Sequence, residues 1–317
     1  MRVGLIDVDG HNFPNLPLMK LSAWHKSKGD YVEWYEPFAG LCDEYDKVYM
    51  SKVFSFTKDY EYPIYAKEVV RGGSGYCIEL VNGREVFHKE RDKDLPAEIE
   101  HIYPDYTLYP DKTKDTAYGF MSRGCPRGCD FCHVKAKEGG CSVKVADLRE
   151  FWDCQKHIEL LDPNTLACAD WKDILQQLIE SKARVNFNQG LDIRMMTEEK
   201  AKLLSLIKLD GIHFAWDRYE DKDKIQPKFL TFRKYSKVHP HDLQVYVLCG
   251  DKEKRIMAED LERIYWLREN GFAPYVTIYN KASLPKGNEL FKLQRYVNNR
   301  WVFWKCATYD EYKRSDT

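Results

Sequence analysis

Three cysteines stand close together in the segment Gly119-Phe-Met-Ser-Arg-Gly-Cys125-Pro-Arg-Gly-Cys129-Asp-Phe-Cys132-His-Val. Three residues separate the first pair and two the second. Thiolates are the usual protein ligands of iron–sulfur clusters, and three sulfurs at this spacing can wrap one face of a cubane. Three ligands for four irons leave one iron open for chemistry. Gly124, Pro126 and Gly128 suit a tight loop that aims its sulfurs inward. The alternative is a zinc knuckle. A closed zinc site takes four ligands. His133 is too close to Cys132 to serve easily as the fourth, and no second cysteine pair follows at ribbon spacing.

The other seven cysteines (Cys42, Cys77, Cys141, Cys154, Cys168, Cys249, Cys306) are scattered, and a small buried thiol is the default reading for each. The 317-residue chain is long enough for two ordinary domains. Its 44% apolar and 31% charged residues are a soluble globular composition. The net charge of -1 makes no whole-chain case for a nucleic-acid or acidic-membrane partner. No apolar run approaches the roughly 20 residues a membrane helix needs. The N-terminal MRVGLIDVDG reads as a strand and turn rather than a signal peptide, so a cytoplasmic protein without a membrane partner is expected.

The elements that must position the cysteines alternate between strand and helix. Residues 2–9, 31–35, 47–53 and 65–71 read as strands, with a helix over 18–28. The last of these strands runs into Gly72-Gly73-Ser74-Gly75, where glycines permit positive φ or a close approach to the backbone. Residues 76–113, rich in charge, Pro and Tyr, read as a connector. Six further strands follow at 117–121, 157–161, 184–188, 211–216, 243–249 and 274–279, with helices such as 168–182 and 197–208 between them. The expected fold class is α/β: a Rossmann-like parallel sheet over 1–75, the connector, a partial (β/α)6 barrel over 114–283 and an aromatic and basic extension over 284–317. Ligands of such sheets sit at the C-terminal ends of the strands.

With an aromatic, Phe131, directly before the third cysteine, the pattern C-x-x-x-C-x-x-C resembles the radical S-adenosylmethionine superfamily over roughly residues 115–280. The forms GGSGY, RGCPRGCDFC, LLDPN, FNQGLDIR and FAWD are similar to a group of short phage- and bacterium-associated members. The resemblance implies that Cys125, Cys129 and Cys132 hold a [4Fe–4S] cluster, that the open iron chelates S-adenosylmethionine, and that Phe131 packs near its adenine. It places Asp162 and Asn164 at the end of the second barrel strand, facing the amino end of the cofactor. Gln189 and Arg194 fall at the polar exit of the third strand, where the planar fork of Arg194 can pair with the cofactor carboxylate. Phe214-Ala-Trp216-Asp217 ends the next strand, and Gly250 ends the fifth, beside the adenine. The residues by themselves leave plainer roles open. Asp162 and Asn164 can cap a helix, Gln189 can pack at the barrel mouth, and Arg194 can make a structural ion pair. No residue is singled out for the second half-reaction, and the resemblance fixes neither substrate nor reaction. An electron donor such as flavodoxin or ferredoxin is implied as a partner.

The first 75 residues resemble the cobalamin-binding-like domain that precedes many barrels of this superfamily. Asp9 and His11 match two positions of the axial-ligand signature Asp-x-His-x-x-Gly, but Pro14 stands where the glycine belongs. Cobalamin is therefore not the favoured cofactor, and His11 reads as a loop histidine. The segment from Lys292 to Lys305 alternates aromatic and basic residues, which suits either stacking on nucleic-acid bases or a closing helix and strand whose aromatics cover the barrel. The leading expectation is a radical S-adenosylmethionine enzyme with an unknown substrate. Beside it stand a cobalamin-dependent methyltransferase, a nucleic-acid-modifying enzyme and a non-catalytic metal-binding module.

Overall fold

The structure, a computed structural model, describes residues 1–81 and 84–315. The chain divides into two compact units, Met1–Glu159 and Leu160 onward.

The first unit opens with β1 (Arg2–Asp7), α1 (Leu16–Ser27), β2 (Tyr31–Trp34), α2 (Pro37–Cys42), β3 (Tyr45–Ser51) and β4 (Ala66–Gly72). The four strands form one parallel sheet in the order β2-β1-β3-β4. All four predicted strands and the helix are present, displaced by one or two residues at their ends. Strand β1 is buried on both faces, as a central parallel strand must be. Val3 and Leu5 pack with Leu18, Met19 and Leu21 of α1, while Ile6 packs with Tyr45, Val48 and Met50. Gly4 leaves room for the Tyr45 ring, which would lie 3.1 Å from any Cβ there. Helix α1 starts where the Asn15 side chain accepts the Leu18 N–H at 3.3 Å and donates to the Ser51 hydroxyl at 2.9 Å, so one residue caps the helix and ties it to the end of β3. The glycines after β4 serve the backbone. Gly73 has φ +97°, and a Cβ there would lie 2.3 Å from the Lys52 carbonyl oxygen.

The segment expected to be a bare connector contains a two-stranded antiparallel ribbon, β5 (Ile78–Val81) with β6 (Arg84–Phe87), and the short helices α3 (Ala97–Glu100) and α4 (Pro110–Thr113). Ile99, Leu108 and Tyr109 from this stretch complete the core above α1. Polar composition hid these three apolar anchors. The unit continues with β7 (Thr116–Gly119), β8 (Ser122–Arg123), α5 (Val134–Glu138), β9 (Val143–Lys144) and β10 (His157–Leu160), whose last residue opens the second unit. Strands β8 and β9 pair antiparallel. The His157 N–H donates to the Asp115 carbonyl at 2.9 Å, just before β7.

The second unit alternates α6 (Trp171–Ser181), β11 (Arg184–Phe187), α7 (Glu198–Leu204), β12 (Lys208–Ala215), α8 (Lys222–Tyr235), β13 (Leu243–Cys249), α9 (Ala258–Glu269) and β14 (Ala273–Ile278). Its strands are parallel neighbours in the order β14-β13-β12-β11. Strand β12 begins three residues earlier than expected. A bulge makes room for the extension, with Val185 opposite Leu209 but Asn186 opposite Gly211.

The C-terminal segment ends in three helices, α10 (Glu289–Asn298), α11 (Arg300–Lys305) and α12 (Tyr309–Ser315), where one helix and a strand were expected. Leu290, Leu293, Tyr296 and Val297 recur at helical spacing on one buried face. Asn288 caps α10, and Asn299 caps α11 by accepting the Val302 N–H at 3.3 Å. Among the described residues no helix is long and apolar enough to cross a membrane.

Candidate functional site

The cysteine segment is a loop closed at its base. Strands β8 and β9 clamp its two ends, with Ser122 opposite Lys144 and Arg123 opposite Val143. Inside the clamp lie Cys125, Cys129, Cys132 and helix α5. The Cys132 N–H donates to the Cys129 carbonyl at 3.0 Å, which folds the second and third cysteines into one turn. The Cys125 N–H donates to the Gly139 carbonyl at 3.2 Å, on the far side of α5. Gly124 is needed at its position. Its φ is +85°, and a Cβ there would lie 2.1 Å from the Cys141 carbonyl oxygen. Cys141, one of the thiols read as scattered, belongs to this same loop.

None of the ten cysteines is paired in a disulfide. Cys125 and Cys129 are half-buried and Cys132 is exposed, so the loop presents its sulfurs rather than hiding them. Among the described residues no three His, Cys, Asp or Glu side chains are arranged to hold one metal ion. A cubane spreads its protein ligands over different irons, so its thiolates need not converge as the ligands of a single ion do. The donor set, three soft thiols on one glycine-pinned loop, fits an iron–sulfur cluster. His133 faces elsewhere: its ring stacks on Phe87 of β6 at 6.1 Å, and burial pushes its imidazole pKa down. Phe131 is 45% exposed, available to a ligand rather than spent on the core. The default of a small buried thiol holds for Cys77, Cys168 and Cys249, whereas Cys42 and Cys154 are exposed and Cys306 is half-buried.

The remaining predicted residues lie in the second unit. Asp162 and Asn164 are 3% and 2% exposed, in the loop after β10. Neither caps α6, which begins at Trp171 behind Asp170. Asn164 precedes a single helical turn without using its side chain as a cap, and Asp162 accepts the Thr165 hydroxyl at 3.3 Å. Gln189 is exposed, its amide donating to Asn188 Oδ1 at 3.2 Å. Arg194 is already engaged: its Nε donates to Asp192 at 2.6 Å and its Nη1 to Asp221 at 3.1 Å. Gly250 is buried with φ +78°, and a Cβ would meet the Leu290 side chain at 2.7 Å.

Sequence reasoning missed two features of this unit. The first is a polar sheet face. Register puts Asn186 beside Gly211, His213 beside Gln244, and Tyr246 beside Tyr275, all on one side of β11–β14 and all half-buried. The opposite side carries Ile212, Phe214, Val245, Val247 and Val276, all buried. Parallel strands covered by helices on both faces read as unbroken apolar runs. The alternation in GIHFA and QVYVL was therefore the available signal of an uncovered face. Burial pushes the His213 imidazole pKa down, so it is neutral at physiological pH, and its Nδ1 is buried without a partner. The face offers neutral hydrogen-bonding groups and two tyrosine rings 5.5 Å apart.

The second is Arg263 of α9. It is buried and donates to the carbonyls of Trp216, Asp217 and Leu248 at 2.7, 2.9 and 2.8 Å, and to Asp260 at 2.6 Å. It thereby fixes the C-terminal ends of β12 and β13, next to Gly250. An Asp and an Arg three residues apart on the face that also carries Ile264 and Leu267 was its sequence signal.

No family model and no curated protein matches the chain. The fold does have a solved counterpart. The structure of the radical S-adenosylmethionine methyltransferase TsrM from Kitasatospora setae, with cobalamin and a [4Fe-4S] cluster bound, superposes with a TM-score of 0.51. The identity is 10%, over 87% of this chain and 74% of that one. At such identity the likeness is one of fold: mixed α/β with parallel sheets.

Proposed function

We propose that this chain is a radical S-adenosylmethionine enzyme. The observation that carries the reading is the cysteine loop, three thiols outside any disulfide on a glycine-pinned ribbon, within a fold similar to that of a radical S-adenosylmethionine methyltransferase. Cys125, Cys129 and Cys132 would hold the cluster. A [4Fe–4S] cluster bound there would supply the single electron for reductive cleavage of S-adenosylmethionine, and so the radical chemistry applied to the substrate. Phe131, Asp162, Asn164, Gln189, Arg194 and Gly250 are the proposed S-adenosylmethionine shell, and the reading carries with it the partial (β/α)6 barrel. Arg194 acts in this shell through the orientation its two carboxylates impose. The polar face of Asn186, His213, Gln244 and Tyr246 is the proposed substrate side, where neutral groups can orient a polar substrate without binding it as an ion. A one-electron donor of flavodoxin or ferredoxin type is the proposed partner.

A cobalamin-dependent methyl transfer is the second reading, favoured by the parallel N-terminal sheet and by the cobalamin bound in TsrM. His11 gives it no support as an axial ligand, because its ring stacks on Trp34 at 4.2 Å and meets Tyr109 edge-on at 5.8 Å.

Anaerobic reconstitution with iron and sulfide, then reduction in the presence of S-adenosylmethionine, tests the proposal. Formation of 5′-deoxyadenosine that is lost in Cys125→Ala supports it. Stoichiometric tetrahedral zinc without cleavage overturns it. Hydroxocobalamin retained by the full chain, seen as visible absorption beyond that of the cluster, selects the second reading.

A further inference from the structure

We infer that Glu138 is the latch of the cysteine loop, and that Lys20, Glu100 and Arg123 hold the latch in register. The inference rests on the proposed function only in naming what the loop is built to hold. Glu138 ends α5, after the third cysteine, and its two carboxylate oxygens reach back to the residues before the first. Oε2 accepts the Gly124 N–H at 3.2 Å, and Oε1 faces Arg123 Nη1 at 3.5 Å. One carboxylate therefore closes the span that contains Cys125, Cys129 and Cys132. Gly124 presents this N–H with φ +85°, at a place where only glycine fits, since a Cβ would lie 2.1 Å from the Cys141 carbonyl oxygen.

Arg123 is held from its other side as well. Its Nη2 lies 3.3 Å from Glu100 Oε1, and its guanidinium sits 4.0 Å over the Phe120 ring. Glu100 in turn receives Lys20, a buried residue of α1, at 2.9 Å on Oε1 and again on its backbone carbonyl. The four charges alternate in sign, Lys20, Glu100, Arg123, Glu138, and run from the N-terminal sheet's helix to the cysteine loop. Burial pushes the Lys20 pKa down while Glu100 pulls it up. The Glu138 and Lys20 side chains are only 10% and 11% exposed, so these pairs are screened less than surface ones. A charge removed from the middle of such a chain leaves Glu138 with only the adjacent Lys137 at 3.9 Å for a cation, or Lys20 with a backbone carbonyl, in a place where water reaches them poorly.

This makes the four side chains positioning residues. They touch no reacting atom. They keep the loop folded before any metal arrives, which lowers the ordering cost of binding a cluster.

Hydrogen–deuterium exchange on the full, metal-free chain reads the loop directly. In Glu138→Ala the amides of residues 119–144 exchange faster by about tenfold or more, while those of β1–β4 keep their wild-type rates. Glu138→Gln, which keeps the acceptor for Gly124 but loses the charge facing Arg123, falls between. Glu61→Ala, removing a surface ion pair with Lys58, matches wild type. After anaerobic reconstitution, Glu138→Ala also binds less iron per chain than wild type. Wild-type exchange over 119–144 in both Glu138 variants overturns the latch. The two ideas fail separately. Wild type that takes up no iron, with a loop opened in Glu138→Ala, ends the cluster reading and leaves the latch. Wild type that loads fully, with Glu138→Ala unchanged in exchange and iron, ends the latch and leaves the cluster.

Discussion

Replacing Arg263 by Met exposes how the strand ends of the second unit are held. The guanidinium and the Asp260 carboxylate are 4% and 5% exposed, and the Arg donates to three backbone carbonyls as well as to that carboxylate. Met fills much of the volume, so the loss is one of pairing rather than of packing. Asp260 would keep the Met257 N–H at 2.9 Å but lose its cation, and the carbonyls of Trp216 and Leu248 would lose a buried donor. Removing one partner of a buried ion pair costs about 3–5 kcal/mol. The Arg263 Nε–H is itself buried without an acceptor, which weakens the wild-type arrangement and puts the expected loss near the low end, about 3 kcal/mol. Arg263→Lys should lose nearly as much, because a compact ammonium with three donors cannot span four acceptors. Urea unfolding followed by tryptophan fluorescence measures the effect, and two of the eight tryptophans, Trp216 and Trp266, lie 5.6 Å apart beside the site. Adding Asp260→Leu to Arg263→Met should recover part of the loss by removing the stranded carboxylate. A single-variant loss below about 1 kcal/mol, or no recovery in the double variant, would refute the reasoning.

Two further outcomes follow from the first unit. Burial at the end of β1 lifts the Asp7 carboxyl from 3.8 to about 6, although Tyr109 donates to it at 2.7 Å. Between about pH 4 and 6 the folded chain keeps a proton that the unfolded chain has released, so stability falls as pH rises through that window and levels off above it. Asp7→Asn should flatten that slope and, allowing for the partial exposure of Asp7, stabilise the chain at pH 7 by about 1–2 kcal/mol in urea melts; an unchanged pH slope would contradict this. Gly124→Ala should cost about 1–3 kcal/mol of backbone strain and add an overlap with the Cys141 carbonyl, so iron uptake should fall. Gly139→Ala is the control, with φ +98° but open space around its Cβ, and it should load more iron than Gly124→Ala.

Much of the fold was written in local pattern. The strands of the N-terminal sheet are short runs rich in β-formers, such as VGLID and KVYMS, and such runs can be read without knowledge of their partners. The C-terminal strand failed as a prediction because aromatic and basic alternation resembles a strand, while residues 300–305 form α11, started by the Asn299 cap and anchored by buried Phe303. The connector hid Ile99, Leu108 and Tyr109 for a related reason: isolated apolar residues in a polar stretch have no period, and only burial against α1 reveals them.

The cysteine loop divides in the same way. Residue type and spacing by themselves determined that three thiols lie within eight residues among glycines, because ligand softness and loop tightness are local properties. Only the tertiary structure decided what closes the loop. Lys20, Glu100, Arg123 and Glu138 are far apart in sequence, and at any one of these positions a charge is as ordinary as on any solvated surface. Their meaning arises when packing removes water from around them and leaves each charge to be answered by the next.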